Sequence, residues 1–139
     1  MKKLLLIFSL LLLSSCSANV EPDTGVSGRW QGLIQSDSVW DVDIYIHLES
    51  ASGGSSHGIG DIEYYNKAYN YRLNYSAEIW AYGSERNLDV HIQPGQDVVN
   101  PRWTLAGRVM DSGRLCLYWE RDKTRTYCLD AVDVPPFNN

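Results

Sequence analysis

Apolar and polar residues alternate along most of the chain from residue 28 onward. In the clearest run, the residues that share one side of an extended chain are Val42, Ile44, Ile46 and Leu48. Segments 69–82 and 88–93 have the same period of two, which predicts strands with one buried and one solvent-facing side. No stretch after residue 15 keeps an apolar 3.6-residue period over three turns, so little or no helix is expected.

Turn signals between the alternating runs divide this region into eight predicted strands. They lie near 28–36, 40–49, 58–65, 69–82, 86–93, 101–110, 114–120 and 124–132. Most connections are as short as hairpin loops, and the longest is a Ser- and Gly-rich segment at 50–57, which is expected to be a mobile loop. Strands joined without long crossovers form an antiparallel meander. The sequence therefore predicts an all-β, eight-stranded antiparallel meander, either a small closed β-barrel or an open sheet folded on itself.

The N-terminus has the order of features found in export signals. Lys2 and Lys3 precede an apolar stretch at 4–13 that is interrupted only by Ser9. Ten residues are too few to span a bilayer but suit the apolar region of a signal peptide. We expect residues 1–15 to be removed.

Residues 13–16, Leu-Ser-Ser-Cys, resemble the lipobox of bacterial lipoproteins. The resemblance implies a diacylglyceryl thioether on Cys16, cleavage before it and acylation of the new amino group. In that family an Asp after the cysteine favours inner-membrane retention, whereas Ser17 stands here, so the resemblance implies the outer membrane, on a face left open. An ordinary secretory signal with a spare cysteine is the alternative reading.

The remaining chain divides into a tether, a domain and a tail. Residues 17–27 are small or polar without periodicity, so 16–27 are read as the lipidated cysteine and a flexible tether. The β-barrel domain is placed at 28–132, followed by a C-terminal tail at 133–139. This size accommodates one domain and excludes large multidomain enzymes.

Charge narrows the range of partners. The formal charge of −5 becomes −7 once Lys2 and Lys3 leave with the signal. An acidic chain of this kind is not expected to bind nucleic acid or anionic lipid. The expected attachment to the membrane is through the acyl chains on Cys16, and an envelope protein is a candidate partner.

The two cysteines of the predicted domain form a disulfide if the last hairpin has a three-residue loop. With residues 121–123 as that loop, Cys116 lies opposite Cys128 and Trp119 lies opposite Arg125. Opposite Cα atoms in an antiparallel pair are about 4.5–5.5 Å apart, within reach of a disulfide. An exported chain also meets an oxidising compartment. We therefore expect the bond to form.

The preceding hairpin extends the same register. A three-residue loop at 111–113 places Val109 opposite Leu115 and Leu105 opposite Trp119. The two hairpins together then present one continuous apolar side over three strands, which supports the predicted cysteine pair.

The sequence contains no catalytic signature. Its three histidines are His47, His57 and His91, and the first and last occupy solvent-facing positions of predicted strands. No serine stands in a strand–Gly-x-Ser-x-Gly–helix arrangement, and Ser55, Ser56 and His57 lack a third, orienting group. We expect no enzymatic activity, no catalytic residues, no metal site and no cofactor.

The start of the domain carries a short motif. Gly28-Arg29-Trp30 resembles the Gly-x-Trp at the start of the first strand in lipocalins and avidin-like barrels, where the Trp plugs one barrel end. The chain departs from lipocalins in its short domain and in having Pro135 and Pro136 where those proteins have a helix. In size, anchor and disulfide it also resembles the small lipoproteins that inhibit lysozymes, although no stretch matches their inhibitory loop.

Two functions of different classes follow. The favoured one is a non-catalytic binding or assembly module, for which the outward Trp80, Tyr82 and Tyr118 offer a contact patch. The alternatives are a lysozyme-inhibitor-like periplasmic inhibitor and a carrier of small apolar ligands. The carrier would need an open interior, of about 300 Å³ or more, and its candidate ligand-binding residues are Trp30, Tyr71, Tyr75 and Trp103.

Overall fold

A computed structural model describes residues 25–95 and 102–133. These residues form eight strands, and no helix occurs among them. The strands are β1 (Gly28–Ser36), β2 (Trp40–Ser50), β3 (Ser55–Asn66), β4 (Tyr71–Ser84), β5 (Asn87–Pro94), β6 (Trp103–Val109), β7 (Leu115–Trp119) and β8 (Asp122–Ala131).

The strands form a closed antiparallel barrel in chain order. Each strand pairs with the next, and β8 pairs with β1. The predicted meander is confirmed, and of its two architectures the closed barrel is the one that forms. The β6–β7 register is also as predicted, with Val109 opposite Leu115 and Leu105 opposite Trp119.

The predicted loop at 50–57 is wrong in extent. β2 continues to Ser50 and β3 begins at Ser55, so the connection is only 51–54. His57 is therefore a strand residue, opposite Glu49 on β2 and Trp80 on β4. Ser and Gly suggested a loop, but pairing with a neighbouring strand on each side outweighs their low β-propensity.

The predicted three-residue loop at 121–123 is also wrong, although it led to the correct cysteine pair. Asp122 already belongs to β8 and lies opposite Trp119, so Arg125 does not. The register shifts between Tyr118 and Trp119, so the pairing from Tyr118 towards the start of β7 follows the predicted register. Cys116 therefore lies opposite Cys128 as predicted. Sequence arithmetic assumes a regular ladder and cannot detect such a bulge.

The barrel interior is filled by aliphatic side chains. The largest fully buried ones are Ile34, Ile44, Ile46, Leu48, Ile62, Ile79, Leu88, Ile92, Leu105, Leu115, Leu117 and Leu129. Gly60 and Gly107 also face inward, and a Cβ there would come within 2.6 Å of Ile79 and 2.9 Å of Leu117. Neighbouring side chains therefore fill the interior at these two positions and leave no room for a methyl group.

One barrel end is closed by side chains, and we call it the sealed end; β1 starts and β8 ends there. The Trp30 ring lies in the core with 4% of its surface exposed, and its indole N–H donates to the Gly113 carbonyl at 2.8 Å. Gly113 has φ of 83°, a conformation that suits glycine in this turn. Val26, in the segment read as a tether, is also buried in the core.

The barrel closes over only part of its height. Between β1 and β8 the register contains just Trp30 opposite Ala131 and Gln31 opposite Asp130. Towards the other end, the Trp119 indole N–H donates to the Ile34 carbonyl at 3.1 Å, so a side chain bridges where the paired register has ended. We call that other end, where β1 ends and β8 begins, the mouth.

Candidate functional site

Aromatic side chains gather on the inner side of the barrel at the mouth. They come from β2, β3, β4, β6 and β7 and comprise Trp40, Tyr64, Tyr71, Tyr75, Trp103 and Trp119. Successive rings meet edge to face, with centroids 5.4–6.3 Å apart. This is the preferred aromatic geometry, so the rings support one another at the rim.

Strand register explains why these rings meet. Trp40 lies opposite Asn66 on β3, which lies opposite Tyr71 on β4. One step deeper, Tyr64 lies between Val42 and Leu73. Because side chains alternate along a strand, all of these positions face inward.

A cleft of about 290 Å³ opens among the rings. Its lining residues are Gln35, Trp40, Val42, Tyr64, Leu73 and Tyr75. None of them carries a formal charge. Tyr75 has 37% of its surface exposed and Tyr71, beside the cleft, 42%, although both face inward by register. The mouth therefore leaves apolar ring surface in contact with solvent.

Tyr64 is the central ring of the cluster. It contacts Trp40, Tyr75 and Trp103. Burial raises the pKa of its phenol, with a further contribution from the neighbouring Tyr75. The hydroxyl therefore stays protonated across the physiological pH range, and Tyr64 acts in the cleft as a neutral group.

A second cleft lies beside the first, between β1 and β8. It measures about 360 Å³ and is lined by Gln35, Ser36, Asp37, Trp119, Arg121, Asp122, Arg125 and Tyr127. Arg121 and Arg125 form no ion pair with any residue in 25–95 or 102–133. Gln35 lines both clefts, so the mouth has an uncharged compartment and a charged one on either side of it.

The four ligand-binding candidates from the sequence do not come together. Tyr71, Tyr75 and Trp103 lie in the cluster at the mouth, with Tyr75 alone lining the uncharged cleft. Trp30 lies at the sealed end and packs into the core. Trp40 and Tyr64 are cleft residues that were not predicted, although each is in phase with an inward aliphatic residue two positions away.

The proposed outward patch of Trp80, Tyr82 and Tyr118 also divides. The first two lie on β4 and Tyr118 on β7, and those strands are not neighbours in the barrel. The Trp80 ring lies 5.6 Å from that of His57 at a tilt of 38°, and the Arg102 guanidinium lies 5.2 Å from the Trp80 ring centroid. Its exposed face is therefore already engaged with a cation of the same chain.

The predicted disulfide is confirmed. Cys116 and Cys128 are bonded across β7 and β8. Cys16, the predicted lipidation site, lies outside the described residues, as do 1–24 as a whole.

The histidines do not assemble a metal site. His57 is on β3 and His91 on β5, each in contact with an aromatic ring of β4. His47 lies on β2, 3.7 Å from Glu49. In the part of the chain that the structure describes, no group of three His, Cys, Asp or Glu side chains is placed to hold a metal ion.

Comparisons with family models, curated proteins and solved structures returned no match to this chain. Across residues 25–95 and 102–133, no helix has the length and apolar character needed to cross a membrane.

Proposed function

We propose that the protein is a lipid-anchored, non-catalytic binding module of the bacterial outer membrane that binds its partner at the mouth of the barrel. The observation that carries this is the uncharged cleft of about 290 Å³ at the mouth, with partly exposed aromatic rings in and beside it. Aromatic surface that remains exposed beside a concave site is typical of binding sites.

The position of the chain start supports the same orientation. β1 begins at the sealed end, so a segment leading to Cys16 joins the barrel there. An anchor at Cys16 would therefore hold the sealed end towards the membrane. The mouth would point away from the bilayer, where envelope components can reach it.

A small apolar-ligand carrier is the second candidate, because no charged side chain lines the cleft. Against it, the cleft is a recess above a core in which twelve large side chains are fully buried. Its volume of about 290 Å³ lies at the lower limit of ligand pockets, which suits a small ligand rather than a long acyl chain. Mass spectrometry of ligands that copurify with the natively extracted protein would favour the carrier if an apolar molecule were present at one equivalent.

The anchor is tested by metabolic labelling with an alkyne fatty acid followed by mass spectrometry of the N-terminal peptide. We expect acylated Cys16 in the wild type and no label in Cys16→Ser. A Cys116→Ser/Cys128→Ser double variant should retain the label, since those cysteines are expected to be disulfide-bonded rather than acylated. An unmodified N-terminus at another residue would show that the anchor proposal is wrong.

The binding face is tested by placing a photo-crosslinking amino acid at one of two tyrosines of β4. Tyr75 faces the mouth, whereas Tyr82 is outward and 49% exposed. Irradiation of intact cells should give a discrete adduct from position 75 and none from position 82. Equal labelling from both positions, or from 82 alone, would contradict a binding site at the mouth.

A further inference from the structure

We propose that the uncharged cleft at the mouth binds an organic ammonium cation, a quaternary or alkylated amine, on the faces of its aromatic rings. This inference rests on the proposed binding role of the mouth and adds the chemical class of the ligand.

Trp40 and Tyr75 line the cleft together with Tyr64. Trp40 and Tyr75 each stand perpendicular to Tyr64, at interplanar angles of 90° and 88° and centroid distances of 6.3 and 5.7 Å. Trp40 comes from β2 and Tyr75 from β4, on either side of Tyr64 on β3. Ring faces carry negative partial charge, so a cation among several rings is attracted by each of them.

The polar lining contributes an acceptor. Gln35 donates its amide nitrogen to the Asp37 carboxylate at 3.1 Å. A carboxylate only accepts hydrogen bonds, so the nitrogen of the Gln35 amide is the atom turned towards Asp37, and the amide oxygen is the acceptor of this side chain. An ammonium or an N-methyl group suits an acceptor, whereas a carboxylate ligand does not.

Charges near the cleft favour a cation. Lys67 forms an ion pair with Asp41 at 2.7 Å and donates to the backbone carbonyl of Asp37 at 2.6 Å. Lys67 is thus paired with one carboxylate, that of Asp41, whereas the Asp37 carboxylate accepts hydrogen bonds from Gln35 and from the Val39 and Trp40 amides and forms no ion pair within residues 25–95 or 102–133. Hydrogen bonds from the backbone amides of Trp40 and Val39 lower the pKa of the Asp37 carboxyl group. A hydrogen bond from Lys67 lowers the pKa of the Asp41 carboxyl group, so both groups are charged at neutral pH.

The arginines at the mouth lie on the other side of Gln35. Arg121 and Arg125 line the neighbouring cleft together with Asp37 and Asp122, and neither lines the aromatic one. The net formal charge of the chain is −5, which adds long-range attraction for a cation.

The decisive probe is a pair of ligands of the same shape and different charge. Choline and its neutral isostere 3,3-dimethylbutan-1-ol are titrated into the full barrel and followed by isothermal calorimetry or by indole NMR signals. We expect choline to bind at least about fivefold more tightly, the contribution of a cation on partly desolvated rings. Equal affinity, tighter binding of the isostere or no binding of either ligand would overturn the inference.

Two leucine variants on β4 locate the site. Tyr75→Leu should weaken choline binding about fivefold, while Tyr82→Leu, on the outer face of the same strand, should leave it unchanged. Tyr64→Phe keeps the ring and should retain binding within about twofold. A loss in Tyr82→Leu equal to that in Tyr75→Leu would contradict the assignment.

The source of the cation is separated by two further ligands. Nα-acetyl-Nε-trimethyllysine methylamide represents an alkylated protein side chain, and phosphatidylcholine vesicles represent a lipid headgroup. Tighter binding of the lysine derivative than of an equal concentration of choline assigns the site to a protein partner. The proposed function has a separate test: if the crosslinker at position 75 gives no adduct in cells, the proposed function is wrong, regardless of the affinity measured for choline.

Discussion

Both ends of the barrel carry tryptophan on the inner side of a strand, Trp30 at the sealed end and Trp103 at the mouth. Trp30 is 4% exposed and hydrogen-bonded to a turn carbonyl, whereas Trp103 is half-buried and packs between other rings of the rim. At the sealed end Val26 joins the core, and at the mouth the paired register between β1 and β8 has already ended. An identical residue type therefore stabilises the fold at one end and forms accessible surface at the other.

The largest contrast is expected from truncating one aromatic residue at each end. Trp30→Ala should lower the free energy of unfolding by about 3–5 kcal/mol, because it leaves a cavity in the core and an unpaired carbonyl at Gly113. Tyr75→Ala should cost less than about 1 kcal/mol, because much of its ring already contacts water. Urea unfolding followed by circular dichroism measures both.

Equal losses in these two variants would contradict the distinction between a sealed end and a mouth. A Trp30→Phe variant provides the control, because it keeps most of the apolar volume and should lose less than Trp30→Ala.

The next largest effect concerns the Cys116–Cys128 disulfide, which spans 12 residues of chain. Replacing both cysteines by Ala should lower the free energy of unfolding by about 3 kcal/mol, because the unfolded chain regains the entropy that a closed loop of this length removes. Thermal unfolding with and without reductant gives the value. The wild type should become as labile as the double variant once reduced, and two reactive thiols in the unreduced native protein would refute the bond.

The disulfide variant also tests whether the two ends are independent. The bond joins strands outside the aromatic cleft, so ligand affinity at the mouth should change less than about twofold while the fold persists. A larger change would show that the mouth depends on the β7–β8 hairpin.

The smallest effect concerns acids on the outer face. Burial raises the pKa of Asp43, with further contributions from Glu63 and Asp41. A carboxyl whose pKa is raised by folding contributes stability below its unfolded pKa of about 3.9 and loses it as the pH rises through the folded pKa. Asp43→Asn should therefore stabilise the protein at pH 7 by a few tenths of a kcal/mol, discounted for solvent screening, with no gain at pH 4.

The pKa of Asp37, at the turn between β1 and β2 at the mouth, is shifted in the opposite direction to that of Asp43. Backbone amides of Trp40 and Val39 lower its pKa, so its contribution is present above the unfolded pKa and is lost as the pH falls through the folded pKa, below about 4. Asp37→Asn should remove part of the acid sensitivity of this turn, which amide hydrogen exchange at pH 3 and pH 6 would detect. A pH dependence of the same sign for both variants would contradict these assignments.

Much of the fold follows from local pattern. The period of two identifies which residues face the core, and short turns identify the meander, because both depend only on neighbours in the chain. The Cys116–Cys128 pair was found for the same reason, despite the undetected bulge at Trp119. The predicted loop at 50–57 is wrong in extent because several of its Ser and Gly residues are paired in strands with partners far along the chain.

The aromatic cleft required the tertiary structure. Each ring was visible in the sequence as one of many inward or strand-start aromatics, and Trp30 looked equivalent to Tyr75. They are separated because they lie at opposite ends of the barrel. The end at which a residue lies depends on the direction of its strand and on the register between all neighbouring strands of the closed barrel. The chain alone therefore determines the strands and their inner sides, whereas barrel closure decides that Trp40, Tyr64 and Tyr75 surround one cleft and that Trp30 seals the opposite end.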